Sequence, residues 1–134
     1  MTTSIKFGTD GWRALIAKDF TFDNVSLVAR AAAEVMKKEL PDRKKIVVGY
    51  DRRFLSRQFA EIASATYAQE GYQVLLGETF LPTPAIAWCA KHEEGVVGAT
   101  MITASHNPPE WNGFKFKENF GGSALPSLTQ KFEK

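Results

Sequence analysis

Three short apolar runs, Ile46-Val47-Val48, Val74-Leu75-Leu76 and the longer "GVVGATMITA" at 95–104, alternate with stretches whose apolar residues recur every three or four positions. Branched runs of that length suit strands buried on both faces, and a helical period between successive strands suits crossover connections. A chain patterned this way has few ways to bury itself, because its strands must pair side by side and its helices must cover them. The expected class is α/β: a three-layer α/β/α domain with a mainly parallel mixed sheet.

The helices come next. "LVARAAAEVMKKEL" follows the polar start "TFDN" and offers Leu27, Val28, Ala31, Ala32, Val35 and Met36 as an apolar face, with Pro41 just beyond its end. "SRQFAEIASATYAQE" predicts a helix capped by Ser56, with Phe59, Ile62, Ala63 and Thr66 inward and Gly71 as terminator. "TPAIAWCAKHEE" predicts a third after Pro82, with Pro84 in its first turn and Trp88 in the core. "NGFKFK" adds a strand beside residues 96–102, and "KFGTDGWRALIAKDF" reads as an extended hairpin turning at Gly8 and Gly11. "FGGSALPSLTQKFEK" closes the chain with a loop and the first turns of another helix, and no internal repeat or low-complexity linker interrupts the pattern.

Composition excludes several classes. The 134 residues make one domain, and an apolar fraction of 44% excludes wholesale disorder. No apolar run is long enough to cross a membrane as a helix, and "MTTSIKFGTDG" lacks the apolar block of a signal peptide, so a cytoplasmic location is expected. Cys89 has no partner for an internal disulfide, and buried packing is its expected role. A net charge of +2 does not mark a nucleic-acid binder. Lys6, Arg13, Arg52, Arg53, Lys115 and Lys117 nevertheless fall near glycines or loops, which fits either a small anionic ligand or an ordinary solvated surface. Neither dinucleotide nor P-loop glycine patterns occur, and two histidines and one cysteine make no zinc-site spacing.

In α/β sheets, ligands meet the loops beyond the carboxyl ends of strands. "TASHNPP" occupies such a loop if residues 96–102 form a strand. Ser105 supplies a hydroxyl that needs a base or a metal environment to become nucleophilic. His106 follows it, Asn107 can donate or accept hydrogen bonds, and Pro108 and Pro109 restrict the turn. From chemistry alone the segment fits a capped surface turn as well as a catalytic loop. The hydrolase pattern of glycine, serine and glycine at alternate positions is absent.

Four stretches narrow the choice. "KFGTDGWRA" at 6–14, "VGYDRR" at 48–53, "LPTPA" at 81–85 and "TASHNPPEWNGFKF" at 103–116 resemble, in order, the first domain of the alpha-D-phosphohexomutase family. The match spans nearly the whole chain, and its wording leans toward the phosphoglucomutase and phosphomannomutase branches. The resemblance implies interconversion of hexose 1-phosphate and hexose 6-phosphate through a phosphoserine and a hexose 1,6-bisphosphate intermediate, with Mg2+ as cofactor. Ser105 resembles the phosphoryl carrier, and its phosphate the contribution of this domain to the metal. His106 resembles the loop histidine that assists proton transfer. Arg13 and Lys115 resemble cations near the reacting phosphate, where positive charge stabilises the transferring group. Asn107 resembles the residue holding the loop. Asp10 and Asp51 are expected as support, Asp10 orienting Arg13 or capping its turn and Asp51 orienting nearby arginines or polarising the strand-end loop. Trp12 and Trp111 are placed either at the substrate cleft or in packing.

The same resemblance implies parts that this sequence does not contain. Family members carry an aspartate-rich metal loop, a sugar-recognition loop and a phosphate-binding loop in later domains. No "DGDxDR" stretch occurs here. The expectation is therefore the first domain of a mutase, inefficient in isolation, whose partners are a hexose phosphate and the later domains of the same polypeptide. A noncatalytic phosphosugar-binding or protein-interaction domain is the alternative.

Overall fold

The computed structural model describes residues 4–134. Five strands and four helices follow in the order β1 (Trp12–Leu15), α1 (Phe22–Glu39), β2 (Lys45–Tyr50), α2 (Ser56–Gln69), β3 (Gln73–Leu76), α3 (Thr83–His92), β4 (Val96–Ile102), β5 (Trp111–Glu118) and α4 (Pro126–Phe132). The sheet order is β1-β5-β4-β2-β3. Strands β3, β2 and β4 are mutually parallel, while β5 is antiparallel to both of its neighbours. Only β5 therefore runs against the rest, and the expected mainly parallel mixed sheet is what forms.

Two apolar layers sandwich the sheet. Val25, Val28 and Met36 of α1 and Phe59, Ala63 and Tyr67 of α2 pack on one face against Ile46, Val48 and Tyr50. Ile86 and Ala90 of α3 pack on the other against Val47, Ala99 and Met101. The alternation of β2 between the two layers is the period-two geometry of a strand. In β4 the alternation is broken once: Lys45 pairs with Val96 but Val47 with Ala99, so β4 carries one extra residue around Gly98. That bulge sends Val97 to one face and Ala99 to the other, and fixes the phase in which the strand runs out into Thr103, Ala104 and Ser105.

Several local expectations are corrected. The segment 6–20 turns at Gly8 and Gly11 as expected, through a single antiparallel bridge between them, but does not extend into a hairpin; β1 docks instead on β5, with Arg13 opposite Gly113, because β5 offers a complete ladder partner. Helix α1 begins earlier than its apolar period suggests, where the Thr21 side chain accepts from the Asn24 amide. Its buried stripe runs through Val25, Ala29 and Ala33, which turns Leu27 out to 59% exposure. Ser56 is not a cap: Leu55 holds that position in the left-handed region, and the Ser56 hydroxyl donates to Asp51 Oδ1 at 2.8 Å. Trp88 is 60% exposed and stacks on His92, since the single helix on its face of the sheet is covered by nothing beyond it among the described residues. Trp12 is buried and stacked on Phe20, which settles it as packing. Cys89 is half-buried beside the α3 layer. No helix among the described residues is long and apolar enough to cross a membrane.

The end of the sheet nearest the serine loop is crowded at Gly113 of β5, which is paired on both sides. A Cβ there would lie 2.5 Å from the Thr103 carbonyl oxygen and 3.1 Å from both Arg13 Cγ and the Trp12 carbonyl oxygen. Gly113→Ala is expected to lower stability by about 1–3 kcal/mol, the usual cost of overpacking. It is also expected to part Arg13 from Asn107. Chemical denaturation measures the first effect and amide shifts of residues 103–107 the second; wild-type values for both would contradict the close approach.

Candidate active site

Beyond the end of β4 the chain leaves the sheet through buried Thr103 and Ala104 and surfaces at Ser105. Ser105 is exposed and holds φ at 56°, a left-handed conformation that costs a non-glycine residue about 1–2 kcal/mol. Such a conformation persists only where the surroundings over-determine it. Here the Ser105 amide donates to Thr103 Oγ1 at 3.1 Å, and the Asn107 amide donates to the Ala104 carbonyl at 3.0 Å.

Asp51, at the end of β2, receives most of the support. Its Oδ1 accepts from the Arg53 amide and the Ser56 hydroxyl, and its Oδ2 accepts from the Thr103 hydroxyl at 2.6 Å. Asn112 in turn donates to Ser56 at 2.9 Å. No buried side-chain polar atom among the described residues is left without a partner, so this polar layer is internally complete. The expectation that Asp51 orients a neighbouring arginine is met by Arg53, whose Nε lies 3.4 Å from Asp51 Oδ2.

The sequence shows Arg53 itself only as one cation among several. Its Nη1 donates to the carbonyls of Pro108 and Trp111, and its Nη2 to those of Ser105 and Asn107, at 2.8–3.1 Å. One guanidinium thus spans the whole serine loop. Sequence can show two arginines after an aspartate, but not which one faces four carbonyls arriving from more than fifty residues away.

A second cluster gathers around Asp10. Its carboxylate receives Lys115 Nζ at 2.7 Å, Ser123 Oγ at 2.8 Å and Lys117 Nζ at 3.2 Å. Asp10 therefore organises two buried lysines rather than Arg13, correcting the expected partner. The sequence shows Lys117 only as one cation among several and gives Ser123 no role. Burial alone would raise the Asp10 pKa, but the hydrogen bonds and charge of its partners outweigh it and draw the carboxyl from 3.8 to about 2. Gly11, at φ 105°, makes the turn possible: a Cβ there would lie 2.5 Å from the Phe114 carbonyl oxygen.

Arg13 is tied to the serine loop by donating from Nη1 to Asn107 Oδ1 at 2.7 Å, and it shares a groove with Asp10. Shallow grooves open on either side of that contact. Ser105 and Asn107 line one with Arg52, Arg53 and Phe54, and His106 lines the other with Arg13, Lys6 and Asp10. Trp111 is half-buried and reaches the site through its carbonyl. A further concavity between residues 4–7, α1 and Phe132 lies away from this chemistry. The described residues form no group of three His, Cys, Asp or Glu side chains able to hold a metal ion. The Asp51 carboxylate accepts three hydrogen bonds and faces Arg53, so it serves the loop, and these residues do not by themselves make a magnesium cage.

Fold and site together define an α/β domain that presents a strained serine among cations at its strand ends. The family model described as "Phosphoglucomutase/phosphomannomutase, alpha/beta/alpha domain I" matches residues 4–134. A putative phosphomannomutase from Thermus thermophilus superposes with a TM-score of 0.93 at 36% identity, over 99% of this chain and 30% of that one. A phosphoglucosamine mutase from Alkaliphilus oremlandii is 37% identical over 93% of this chain and 27% of its own length. A probable phosphoribomutase from Schizosaccharomyces pombe is 34% identical over 94% of this chain and 22% of its own. The chain belongs to the phosphoglucomutase/phosphomannomutase family, as its domain I. It spans between a fifth and a third of the length of these relatives, and the sugars in their names differ.

Proposed function

We propose that Ser105 carries the phosphoryl group in the interconversion of a hexose 1-phosphate and a hexose 6-phosphate. The observation that carries this reading is an exposed serine held at φ 56° beyond the end of β4, beside Arg53 and Asn107 and close to the groove of Arg13 and His106. Strain of that kind is enriched at functional sites, and of the three left-handed non-glycine residues described only Ser105 carries a hydroxyl; cations around it favour a dianionic ester over a neutral side chain.

In the forward direction a sugar hydroxyl attacks the phosphorus of phosphorylated Ser105. The bond from phosphorus to the serine oxygen breaks as the bond to the sugar oxygen forms. The sugar proton leaves to a base, for which His106 is the exposed imidazole in the adjoining groove. The resulting hexose 1,6-bisphosphate reorients, and its other phosphate returns to Ser105. Arg13 draws charge off the transferring group, with Lys115 and Lys117 behind it on Asp10. Magnesium would meet here only an oxygen of the serine phosphate, its carboxylate ligands coming from further domains of the same polypeptide. Those domains would also supply sugar recognition, and the chain of 134 residues alone is accordingly expected to turn over sugar phosphates poorly.

The test is turnover of the complete polypeptide on the 1-phosphates of glucose, mannose, glucosamine and ribose. A kcat/KM highest for glucose or mannose, and lost in Ser105→Ala, supports the hexose reading. A preference for the glucosamine or ribose ester replaces the sugar while keeping the chemistry. Saturable binding without turnover would instead make the domain a noncatalytic phosphosugar binder.

A further inference from the structure

We propose that Arg53 is the positioning residue of the phosphoserine loop, fixing the geometry in which Ser105 gives and receives phosphate; this rests on the reading of Ser105 as phosphoryl carrier. The contacts around Ser105 form a closed circuit. The Ser105 amide donates to Thr103 Oγ1, the Thr103 hydroxyl donates to Asp51 Oδ2, and Asp51 Oδ2 lies 3.4 Å from Arg53 Nε. Arg53 Nη2 then donates back to the Ser105 carbonyl at 2.8 Å. Ser105 is therefore gripped at its amide and its carbonyl by one ring of contacts, and that grip sustains its left-handed backbone.

The remaining contacts extend the grip along the loop. Carbonyls of Asn107, Pro108 and Trp111 also end on the same guanidinium. Pro108 and Pro109 bring no amide donors of their own, so the backbone closes this loop only through the Asn107 amide on Ala104 and the Trp111 amide on Pro108, and Arg53 adds the donors that the prolines lack. Carbonyl oxygens committed to Arg53 are also kept from facing an incoming phosphoryl group, which they would repel. The side chain is only 13% exposed, so it acts from beneath the loop rather than from the solvent side. Lysine retains the charge but not the planar fork that reaches four acceptors.

Three measurements on the complete polypeptide test this. In Arg53→Lys, amide hydrogen exchange across residues 104–111 is expected to accelerate while exchange in β2 and β4 stays near wild type. Its kcat is expected to fall by about 100-fold with KM for the sugar phosphate nearly unchanged, the scale of loss that a small misplacement of reacting groups produces. In Arg53→Ala, added guanidinium ion is expected to restore part of kcat, which repair of a merely structural defect would not do. Wild-type loop exchange in Arg53→Lys overturns the proposal. So does a destabilised Arg53→Lys that keeps wild-type kcat. If Arg53→Ala fails to fold, the exchange and kcat of Arg53→Lys decide alone. If the wild-type protein never carries phosphate on Ser105, the functional reading fails, and loop exchange still decides whether Arg53 holds the loop.

Discussion

If Ser105 carries the phosphoryl group as proposed, Ser105→Ala is expected to abolish phosphoryl uptake at this site, and Ser105→Gly to abolish it while making the domain more stable. Both variants lose the only oxygen on which the ester can form, so the expected activity is that of the uncatalysed background. They differ in the backbone. Alanine keeps a Cβ at φ 56°, whereas glycine enters that region without the steric cost. The strain relieved is about 1–2 kcal/mol, offset in part by the greater freedom of glycine in the unfolded chain, for a net gain of about 0.5–1 kcal/mol. Thermal melting of the two variants side by side measures the difference. Equal or lower stability of Ser105→Gly would mean that the strain is not held at this residue.

Asp10→Ala is expected to be the most damaging single change to stability in the site. Lys115 and Lys117 are about 5% and 7% exposed, and both ammonium groups end on this one carboxylate. Removing it leaves two buried cations facing each other, and breaking a buried pair in this way costs about 3–5 kcal/mol. The lower end applies here, since the Asp10 side chain is 30% exposed and water reaches it. Asp10→Asn should lose less, because an amide oxygen still accepts from the lysines. Acid provides the same test without mutation. The folded carboxyl lies at about 2 against 3.8 in the unfolded chain, so its contribution is complete above 3.8 and disappears as pH falls toward 2. Wild-type unfolding free energy should therefore drop through that window by more than it does in Asp10→Asn. Parallel acid titrations of the two proteins would contradict the assignment.

Much of the fold is legible in the chain because its strands announce themselves. Ile46-Val47-Val48 and residues 96–102 are short, branched and bounded by glycine, and each lies where the apolar runs place it. Local pattern fails where tertiary partners override it. Leu27 sits at a good helical spacing, but the stripe that meets the sheet is set by the packing of α1 on α2, one position around the helix. Trp88 is apolar on an apolar helix, yet only Ile86 and Ala90 of α3 are buried, and Trp88 lies on the outward side. The segment around Gly8 and Gly11 reads as a hairpin because nothing local reveals that β5, a hundred residues later, is its partner.

The site divides in the same way. Ser105, His106, Asn107, Arg13, Lys115, Asp10 and Asp51 can be named from ordered motifs, and the structure brings them to one end of the sheet. What holds them cannot be named that way. Arg53 reaches four carbonyls because β2 and β4 are parallel neighbours, so that the loops following them emerge side by side. Lys117 and Ser123 join Asp10 because the turn after β5 folds back onto its own strand, with Ser123 bridging to Lys117. Sequence spacing carries no record of either encounter.

That Ser105 is the phosphoryl carrier is tested most directly by the mass of the Ser105 peptide. The complete polypeptide is incubated with glucose 1,6-bisphosphate and magnesium and digested with trypsin, and the peptide spanning residues 92–115 is fragmented to locate any added phosphate. The predicted result is one phosphate on Ser105, removed again by excess glucose 6-phosphate and absent from Ser105→Ala. Phosphate on another residue, or turnover with Ser105 unmodified throughout and preserved in Ser105→Ala, would contradict it.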